Sequence, residues 1–318
     1  MKHRKEMIAG VVFIPGGGWI YGDSDSYHGV TVHIASKLHV MLVSIDYRKA
    51  HEHPFPAAVD DCEKATIWFL KNAERLKVDP NRIAIVGEGS GGNLAAAITQ
   101  RLRFDEKHNT LPSVKLQVLF YPMLQAFDFN TPSYQQNGKD SSLLFTRAAS
   151  ARSWSFYMHG NDALVEELAT NNHTSSSAKT NSSASKILSH DKIKYKLKSD
   201  NYVTPLSNYG NEDTYKRIQL ILENPDFNPL FCDDLSGLPQ TYITVGEFDV
   251  AEKTKKDNET SFGNRQSMND KQNPRSRPHC PHATATPIGS WALTATTTVG
   301  TAPTRPGTME SSILSMGK

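Results

Sequence analysis

The sequence predicts an α/β domain with a mostly parallel β-sheet and flanking helices, and three observations support this fold class. Short apolar runs rich in β-branched residues recur along the first 250 residues. Stretches with helical periodicity separate these runs, and a glycine-rich turn joins one apolar run directly to a helix-like run. Buried parallel strands read as continuous apolar runs because helices cover both faces of their sheet.

The order of the elements can be predicted along the chain. The predicted strands are Gly10–Ile14, Met41–Asp46, Ile83–Val86, Val114–Tyr121 and Thr241–Val245. Residues 60–76 place their apolar side chains near one face, which predicts a helix packed on the sheet. A second helical region at 143–170 departs from the alternation, so residues 123–215 are interpreted as a helical cap over the strand ends. Within it, residues 171–187 are rich in Ser, Asn and Thr and predict an exposed loop.

Composition changes sharply after Val250. Residues 251–278 contain only three apolar side chains, and residues 281–307 are largely Thr, Ala and Pro. Such segments cannot bury enough apolar surface to offset the entropy of ordering the chain. We therefore predict a folded domain over residues 1–250 and a disordered C-terminal tail, without strand or helix, over residues 251–318.

Composition also restricts the classes of function. The chain has 35 Lys+Arg against 33 Asp+Glu, so no basic field favours nucleic acid. Its three cysteines are widely spaced, which argues against a zinc cluster or a disulfide scaffold. No apolar run approaches the roughly 18 residues of a membrane span. The sequence as written therefore predicts a cytoplasmic protein with small-molecule partners, without membrane anchor, metal or cofactor.

The glycine-rich turn at residues 87–92, GEGSGG, has two functional interpretations. It satisfies the dinucleotide pattern G-x-G-x-x-G, but no acidic residue closes the next predicted strand to hold a ribose. It also approaches the nucleophile elbow G-x-S-x-G, in which a serine stands on a sharp strand-to-helix turn. The centre of that frame is Gly89, and Ser90 comes one position late.

Four separate segments carry a resemblance to a known family. They are FIPGGGWIYGD from Phe13, IDYRKAHEHPFPAAVDDC from Ile45, VDPNRIAIVGEGSGGNLAA from Val78 and FNPLFCDDLSGLPQTYITVGEFDV from Phe227. In this order they resemble the hormone-sensitive-lipase group of α/β-hydrolases, most closely the arylacetamide deacetylase-like branch. The resemblance implies an α/β-hydrolase fold and a serine carboxylic ester hydrolase acting on acyl or aryl esters, with a small-molecule ester or lipid-like ligand.

The resemblance also implies an oxyanion hole. Gly17 and Gly18 match the positions whose backbone N–H groups stabilise the oxyanion, and Ser90, after the nucleophile position, would lend a third. Pro15 replaces the histidine that precedes these glycines in the family. Because proline has no N–H and no imidazole, we expect this loop to be less well braced than in the family.

The catalytic triad matches less well. The family nucleophile position falls on Gly89, which leaves Ser90 as a displaced nucleophile candidate. Asp249 matches the family acid in an E-x-D-V segment. The base is expected about thirty residues later, where His279 stands in a sequence that does not predict the helix and strand of the family.

These departures lead to three hypotheses. The first is an active esterase assembled from Ser90, Asp249 and His279. The second is a hydrolase-like protein without catalysis that still binds small esters, with Trp19 and Tyr21 near the mouth of its pocket. The third is a truncated or mis-spliced product without stable function. We expect hydrolysis to be absent or strongly impaired.

The resemblance carries two further expectations, on the extent of the domain and on its location. Family members usually have further segments at both ends, so the resemblance implies a sheet incomplete at both edges. The family is often anchored in a membrane, and a full gene product with that anchor would lie in the endoplasmic reticulum membrane.

Overall fold

The sheet and helices are seen in a computed structural model, which describes residues 7–104, 110–138, 145–193, 198–246, Asp249 and the strand at 313–316. The strands are β1 Ile8–Ile14, β2 Val40–Ile45, β3 Val78–Glu88, β4 Leu116–Phe120, β5 Gln240–Thr244 and β6 Ile313–Met316. They form one sheet in the order β5-β4-β3-β1-β2-β6, and every neighbouring pair is parallel. The predicted α/β fold and its five predicted strands are thus confirmed.

Helices cover both faces of this sheet. Their bounds are α1 His28–Leu38, α2 Ala57–Asn72, α3 Ser90–Phe104, α4 Pro132–Asn137, α5 Arg147–His159, α6 Val165–Ala169, α7 Ser176–Asn181, α8 Ser183–Ile187 and α9 Glu212–Leu222, with short 3₁₀ turns at His190–Lys192 and Pro229–Phe231. Alternate residues of β1 point to opposite faces. Val11 and Phe13 join a small cluster that includes Ala35 of α1, whereas Val12 and Ile14 join the large core that contains α2 and α3.

The topology fixes where a site can form. From β1 the chain adds β2 on one side and then returns to add β3, β4 and β5 on the other. The crossovers that leave the neighbouring strands β1 and β3 therefore run to opposite sides of the sheet. In open α/β sheets, ligands bind at such a switch point, outside the carboxyl ends of the strands. Here it brings together the loop after β1 and the turn after β3, which are the two glycine-rich segments of the sequence.

Helix α3, which begins at this switch point, is fixed by a partly buried charge network. Arg101 near its end donates hydrogen bonds to Asp60 (2.9 Å) and Glu63 (2.8 Å) of α2 and to Asp226 (2.9 Å). These carboxylates raise the pKa of Arg101 against the opposing effect of its burial. Helices α2 and α3 are thus held in one arrangement on the same face of the sheet.

The prediction of an exposed loop at residues 171–187 is wrong. Helices α7 and α8 occupy most of this segment, because Ser175 and Ser182 cap them by accepting hydrogen bonds from the N–H groups of Ala178 and Ser185 (both 3.0 Å). The residues before α7, Asn171 and 173–175, are buried. Serine-rich composition here marks helix starts, so the rule that polar clusters form loops does not apply.

Strand β6 corrects part of the prediction for the tail. Residues 251–318 were expected to hold no strand, yet Ile313–Met316 pairs in parallel with Leu42–Ile45 of β2. The backbone N–H and C=O groups of an outer strand offer hydrogen bonds to any short extended apolar run, and the sequence ILSM is one. The expected open edge at β2 is therefore occupied. The other residues of 251–318 lie outside the described part of the chain, and the prediction of disorder for them stays a prediction.

Buried His173 makes the stability of this fold dependent on pH. Its ring nitrogens face the carbonyl oxygens of Ala126 (2.9 Å) and Glu167 (3.3 Å), and burial lowers its pKa from 6.5 to about 4. Below pH 6.5 the imidazole of His173 is protonated in the unfolded chain, whereas in the folded chain it becomes protonated only near pH 4. The contribution of His173 to the free energy of unfolding is therefore complete above pH 6.5 and is lost as the pH falls toward 4.

We predict that the free energy of unfolding falls by about 2 kcal/mol between pH 7 and pH 5 because of this residue. Urea unfolding at the two pH values would measure it, with His173→Gln as the variant that cannot titrate. Between pH 7 and pH 5, the free energy of unfolding of His173→Gln is expected to fall by about 2 kcal/mol less than that of the wild-type protein. An identical pH dependence in both proteins would contradict the assignment.

Candidate active site

The turn between β3 and α3 consists of the single residue Gly89. Its φ is +54°, and its N–H donates to the carbonyl oxygen of Phe120 (2.9 Å). Its own carbonyl oxygen accepts from Asn93 (3.2 Å) and Met123 (3.1 Å). Among the described residues, a Cβ added at Gly89 would have no heavy atom within 4 Å apart from its immediate neighbours. A side chain at this position would thus enter open space at the end of the sheet.

Ser90, the first residue of α3, is turned into the protein. Its relative exposure is 0%. Its hydroxyl faces that of Tyr47, where burial raises the tyrosine pKa and the serine opposes the rise. The Oγ of Ser90 makes no hydrogen bond of good geometry with any residue in the described part of the chain. The serine hydroxyl is therefore enclosed, one residue away from the open position.

The loop after β1 holds the two glycines of the predicted oxyanion hole. Gly17 and Gly18 have φ of +105° and +64°. The carbonyl oxygen of Gly17 accepts hydrogen bonds from Ile20 (3.2 Å) and Tyr21 (2.9 Å), which closes a tight turn. The N–H groups of both glycines donate no hydrogen bond within the described residues. Two backbone donors are thus left available in this loop.

Tyr47 braces this loop. Its hydroxyl donates to the carbonyl oxygen of Pro15 (2.9 Å) and lies 3.4 Å from that of Gly16. Tyr47 follows β2 and is fully buried. We expected a less well braced loop because Pro15 replaces the family histidine. That expectation did not include the contact from Tyr47. The motif IDYRKA contains the tyrosine, but a sequence alone does not show that its hydroxyl reaches across to the end of β1.

A carboxylate stands next to the open position. The side chain of Glu88 accepts a hydrogen bond from the Tyr27 hydroxyl and interacts with that of Tyr121, the residue after β4. Burial, and then Glu88, raises the pKa of both tyrosines. A Cβ on Gly16 would lie 1.9 Å from Oε2 of Glu88, so this carboxylate packs directly against the glycine loop. Sequence reasoning did not single out Glu88 or its two tyrosine partners.

Asp249, the predicted acid, lies on the same side of the sheet. Its backbone N–H donates to the carbonyl oxygen of Gly246 after β5 (3.2 Å). Burial raises the pKa of Tyr121 and Tyr134, and the charge of Asp249 adds to both shifts. Because Tyr121 is the residue after β4, Asp249 lies within electrostatic reach of the end of that strand. His279, the predicted base, lies outside the described residues.

The structure therefore brings most of the predicted site together. A Cβ on Gly91 would lie 2.1 Å from the carbonyl oxygen of Ile14 and 2.5 Å from that of Pro15. The start of α3 is thus packed against the end of β1, which places Gly89 and Ser90 beside the loop of Gly17 and Gly18. Within the described residues, no cluster of three His, Cys, Asp or Glu side chains could hold a metal ion.

Helix α5, which lies in the segment that the sequence predicts as a cap (residues 123–215), covers this region through an aromatic cluster. Tyr157 of α5 stacks on Trp19 with ring centroids 4.1 Å apart and on Phe227 at 5.0 Å. Trp154 packs against Trp19 and Phe227 as well. Trp19 is fully buried in this cluster, so it does not line the mouth of a pocket as expected, whereas Tyr21 is 72% exposed.

The fold and the elbow define the class of protein. The model of the alpha/beta hydrolase fold family matches residues 11–185, and the chain belongs to this family. The resemblance to its hormone-sensitive-lipase-like and arylacetamide deacetylase-like members is confirmed by individual relatives. The chain is 35% identical over 255 residues to neutral cholesterol ester hydrolase 1 of Rattus norvegicus, covering 78% of this chain and 61% of that protein.

A second relative gives the same result. The chain is 35% identical over 258 residues to arylacetamide deacetylase of Bos taurus, covering 78% of this chain and 62% of that protein. The chain thus spans about three fifths of the length of the curated relatives that it matches. Proteins named as ester hydrolases and deacetylases therefore share its family.

Solved structures share the fold. A hyperthermophilic esterase from the archaeon Pyrobaculum calidifontis aligns with a TM-score of 0.55 at 23% identity, over 82% of this chain and 63% of that one. A bacterial heroin esterase aligns with a TM-score of 0.54 at 23% identity, over 82% and 62%. In the described part of the chain, no helix has the length and apolar character needed to cross a membrane.

The geometry of the elbow predicts which glycines accept a side chain. Gly89→Ser should lower the free energy of unfolding by only about 1 kcal/mol, the cost of a left-handed backbone for an L-residue in open space. Gly87→Ser should cost about 3 kcal/mol or more, because its Cβ would lie 2.1 Å from the carbonyl oxygen of Gly91, a backbone atom that cannot move aside. Urea unfolding of the two matched variants would measure the difference. Equal losses, or a larger loss for Gly89→Ser, would contradict this geometry.

Proposed function

We propose that this chain is a small-ester-binding member of its family in which serine-dependent hydrolysis is absent or strongly impaired. One observation carries the proposal: the open position at the elbow is Gly89, and the neighbouring hydroxyl of Ser90 is fully buried. A nucleophile must reach the carbonyl carbon of an ester at about 3–3.5 Å in the correct orientation. An enclosed hydroxyl cannot do this without moving the start of α3.

The hydrogen bonds around the elbow oppose such a movement. The Gly89 carbonyl oxygen accepts from two N–H groups on different segments, those of Asn93 and Met123. Asn93 in turn donates from its side chain to the carbonyl oxygens of Met123 (2.8 Å) and Phe227 (2.9 Å). Rotating Ser90 outward would break this buried set, and each unsatisfied buried group costs about 1–3 kcal/mol.

Binding of an ester is favoured by what the site retains. The N–H groups of Gly17 and Gly18 have no hydrogen-bond partner among the described residues, and they match the family's oxyanion donors. The same N–H groups can donate hydrogen bonds to the carbonyl oxygen of an intact ester or of a carboxylic acid. Ligands of the acyl or aryl ester type therefore fit the donors, and no cofactor or metal is needed for such binding.

The proposal predicts the rates of p-nitrophenyl acetate hydrolysis. The wild-type protein should turn over no faster than a heat-unfolded sample of the same concentration, because the Ser90 hydroxyl is fully buried. Ser90→Ala should leave this rate unchanged, with cooperative melting by circular dichroism as the control for folding. Wild-type turnover that Ser90→Ala abolishes would instead establish an active esterase that uses Ser90.

The binding part of the proposal has its own measurement. A phenyl ester such as phenyl acetate should raise the melting temperature in a concentration-dependent way, since any ligand of the folded state stabilises it. Gly18→Ala should reduce this rise in melting temperature, because a Cβ there would lie 2.5 Å from Oγ of Ser153 and disturb the donor loop. An ester that fails to shift wild-type melting would contradict the proposal.

A further inference from the structure

A cavity lies within the segment predicted as a cap, apart from the elbow. Its volume is about 470 Å³. Its walls include Phe127, Asp128, Lys179, Leu188, His190 and Leu206. None of its lining residues belongs to the elbow or to the loop of Gly17 and Gly18. The volume lies within the usual range of small-molecule sites, about 300–1,000 Å³.

We call this cavity the cap cavity. One of its walls is formed by Asp128 and the groups that donate hydrogen bonds to its carboxylate. Asp128 accepts from Nε2 of His190 (2.6 Å) and from the side chain of Asn171 (3.0 Å) and the N–H of Asn130 (2.7 Å). The other ring nitrogen of His190 bonds to the Tyr202 hydroxyl. Burial would raise the pKa of Asp128, but His190 and the other donors hold it below its usual value. The Asp128 carboxylate thus already has three hydrogen-bond donors, and its charge reaches Lys179 only at longer range.

Lys179 contributes a cation whose charge is not matched at close range. Its ammonium donates to the carbonyl oxygens of Thr174 (2.8 Å) and Tyr209 (3.0 Å) and lies 4.5 Å from the centre of the Tyr209 ring. No carboxylate in the described residues forms an ion pair with it. Because an ammonium has three donors, one remains for a ligand. Burial lowers the pKa of Lys179 to about 8, and the charge of Asp128, which forms no ion pair with the ammonium, opposes this fall.

The remaining walls combine apolar and cationic side chains with the hydroxyl groups of Thr180, Ser185, Ser189, Thr204 and Ser207. Phe127, Leu188, Pro205 and Leu206 supply apolar surface, and Leu206 is 69% exposed at the rim. Lys186 and Lys192 add positive charge, whereas Asp191 is the other carboxylate of the lining. A ligand that matches this surface combines one negative charge with an apolar body. Phosphate fits less well, because it has no apolar body to cover the apolar part of the wall.

We propose that the cap cavity binds an amphipathic monocarboxylate, with the carboxylate on the ammonium of Lys179 and the alkyl or aryl body against Leu188 and Leu206. A charge-assisted hydrogen bond from a half-buried ammonium supplies the polar contact. Burial of the alkyl or aryl body supplies the rest of the binding free energy. This site is independent of the elbow and of whether the elbow hydrolyses esters.

Calorimetric titration of the full chain with decanoate tests the proposal, with 1-decanol as the matched neutral ligand. Decanoate should bind at least tenfold more tightly than 1-decanol. Lys179→Met should weaken decanoate binding at least tenfold, whereas Lys71→Met, which removes the same charge from an exposed end of α2, should leave it unchanged. Unaltered decanoate binding by Lys179→Met, or equal binding of the alcohol, would overturn the proposal.

A measurement on the unmodified protein is also needed, because Lys179 holds two backbone carbonyls and its replacement could loosen the cap. Acetylation by N-hydroxysuccinimidyl acetate at pH 8, followed by peptide mass spectrometry, reports the accessibility of each lysine. Decanoate should slow acetylation of Lys179 at least fivefold and leave Lys71 unaffected. Equal protection by inorganic phosphate, or no protection by decanoate, would show that the assigned ligand class is wrong.

Discussion

The close packing of the elbow against the end of β1 is the constraint on which the site depends. Gly87 and Gly91 approach backbone carbonyl groups so closely that a Cβ on either would lie 2.1 Å from an oxygen. These contacts fix the direction in which α3 leaves the sheet. They therefore also fix which residue of the turn faces open space and which is turned inward. In this chain the outward residue is Gly89 and the inward one is Ser90.

Around this packed elbow, the glycine loop and the acidic residue that the family resemblance implies are present, whereas the nucleophile position is changed. The loop of Gly17 and Gly18 is held by Tyr47 and by the cap helix α5, and its N–H groups remain available. The carboxylates of Glu88 and Asp249 stand at the ends of β3 and β5. The exposed hydroxyl at the turn is missing. The loop glycines and the two carboxylates thus surround a turn at which the outward residue is a glycine.

Most of the fold could be predicted from the sequence because buried parallel strands leave a strong local signal. The glycine spacing of residues 87–92 likewise indicated the position of the turn, since only glycine permits the close approaches there. What could not be predicted depends on contacts between distant segments. The brace from Tyr47 to Pro15 and the partners of Glu88 arise only when β1, β2, β3 and β4 are placed side by side. The serine-capped helices α7 and α8 and the pairing of β6 with β2 depend on tertiary contacts in the same way.

The central claim is that no reactive hydroxyl stands at the elbow, and covalent labelling measures this directly. The purified chain would be incubated with a fluorophosphonate probe and digested, and the peptide containing residues 87–92 analysed by mass spectrometry. The account predicts that this peptide is recovered without adduct, even at long incubation. An adduct on Ser90 in the folded protein would show that its hydroxyl reaches the open side of the turn, and would contradict the account.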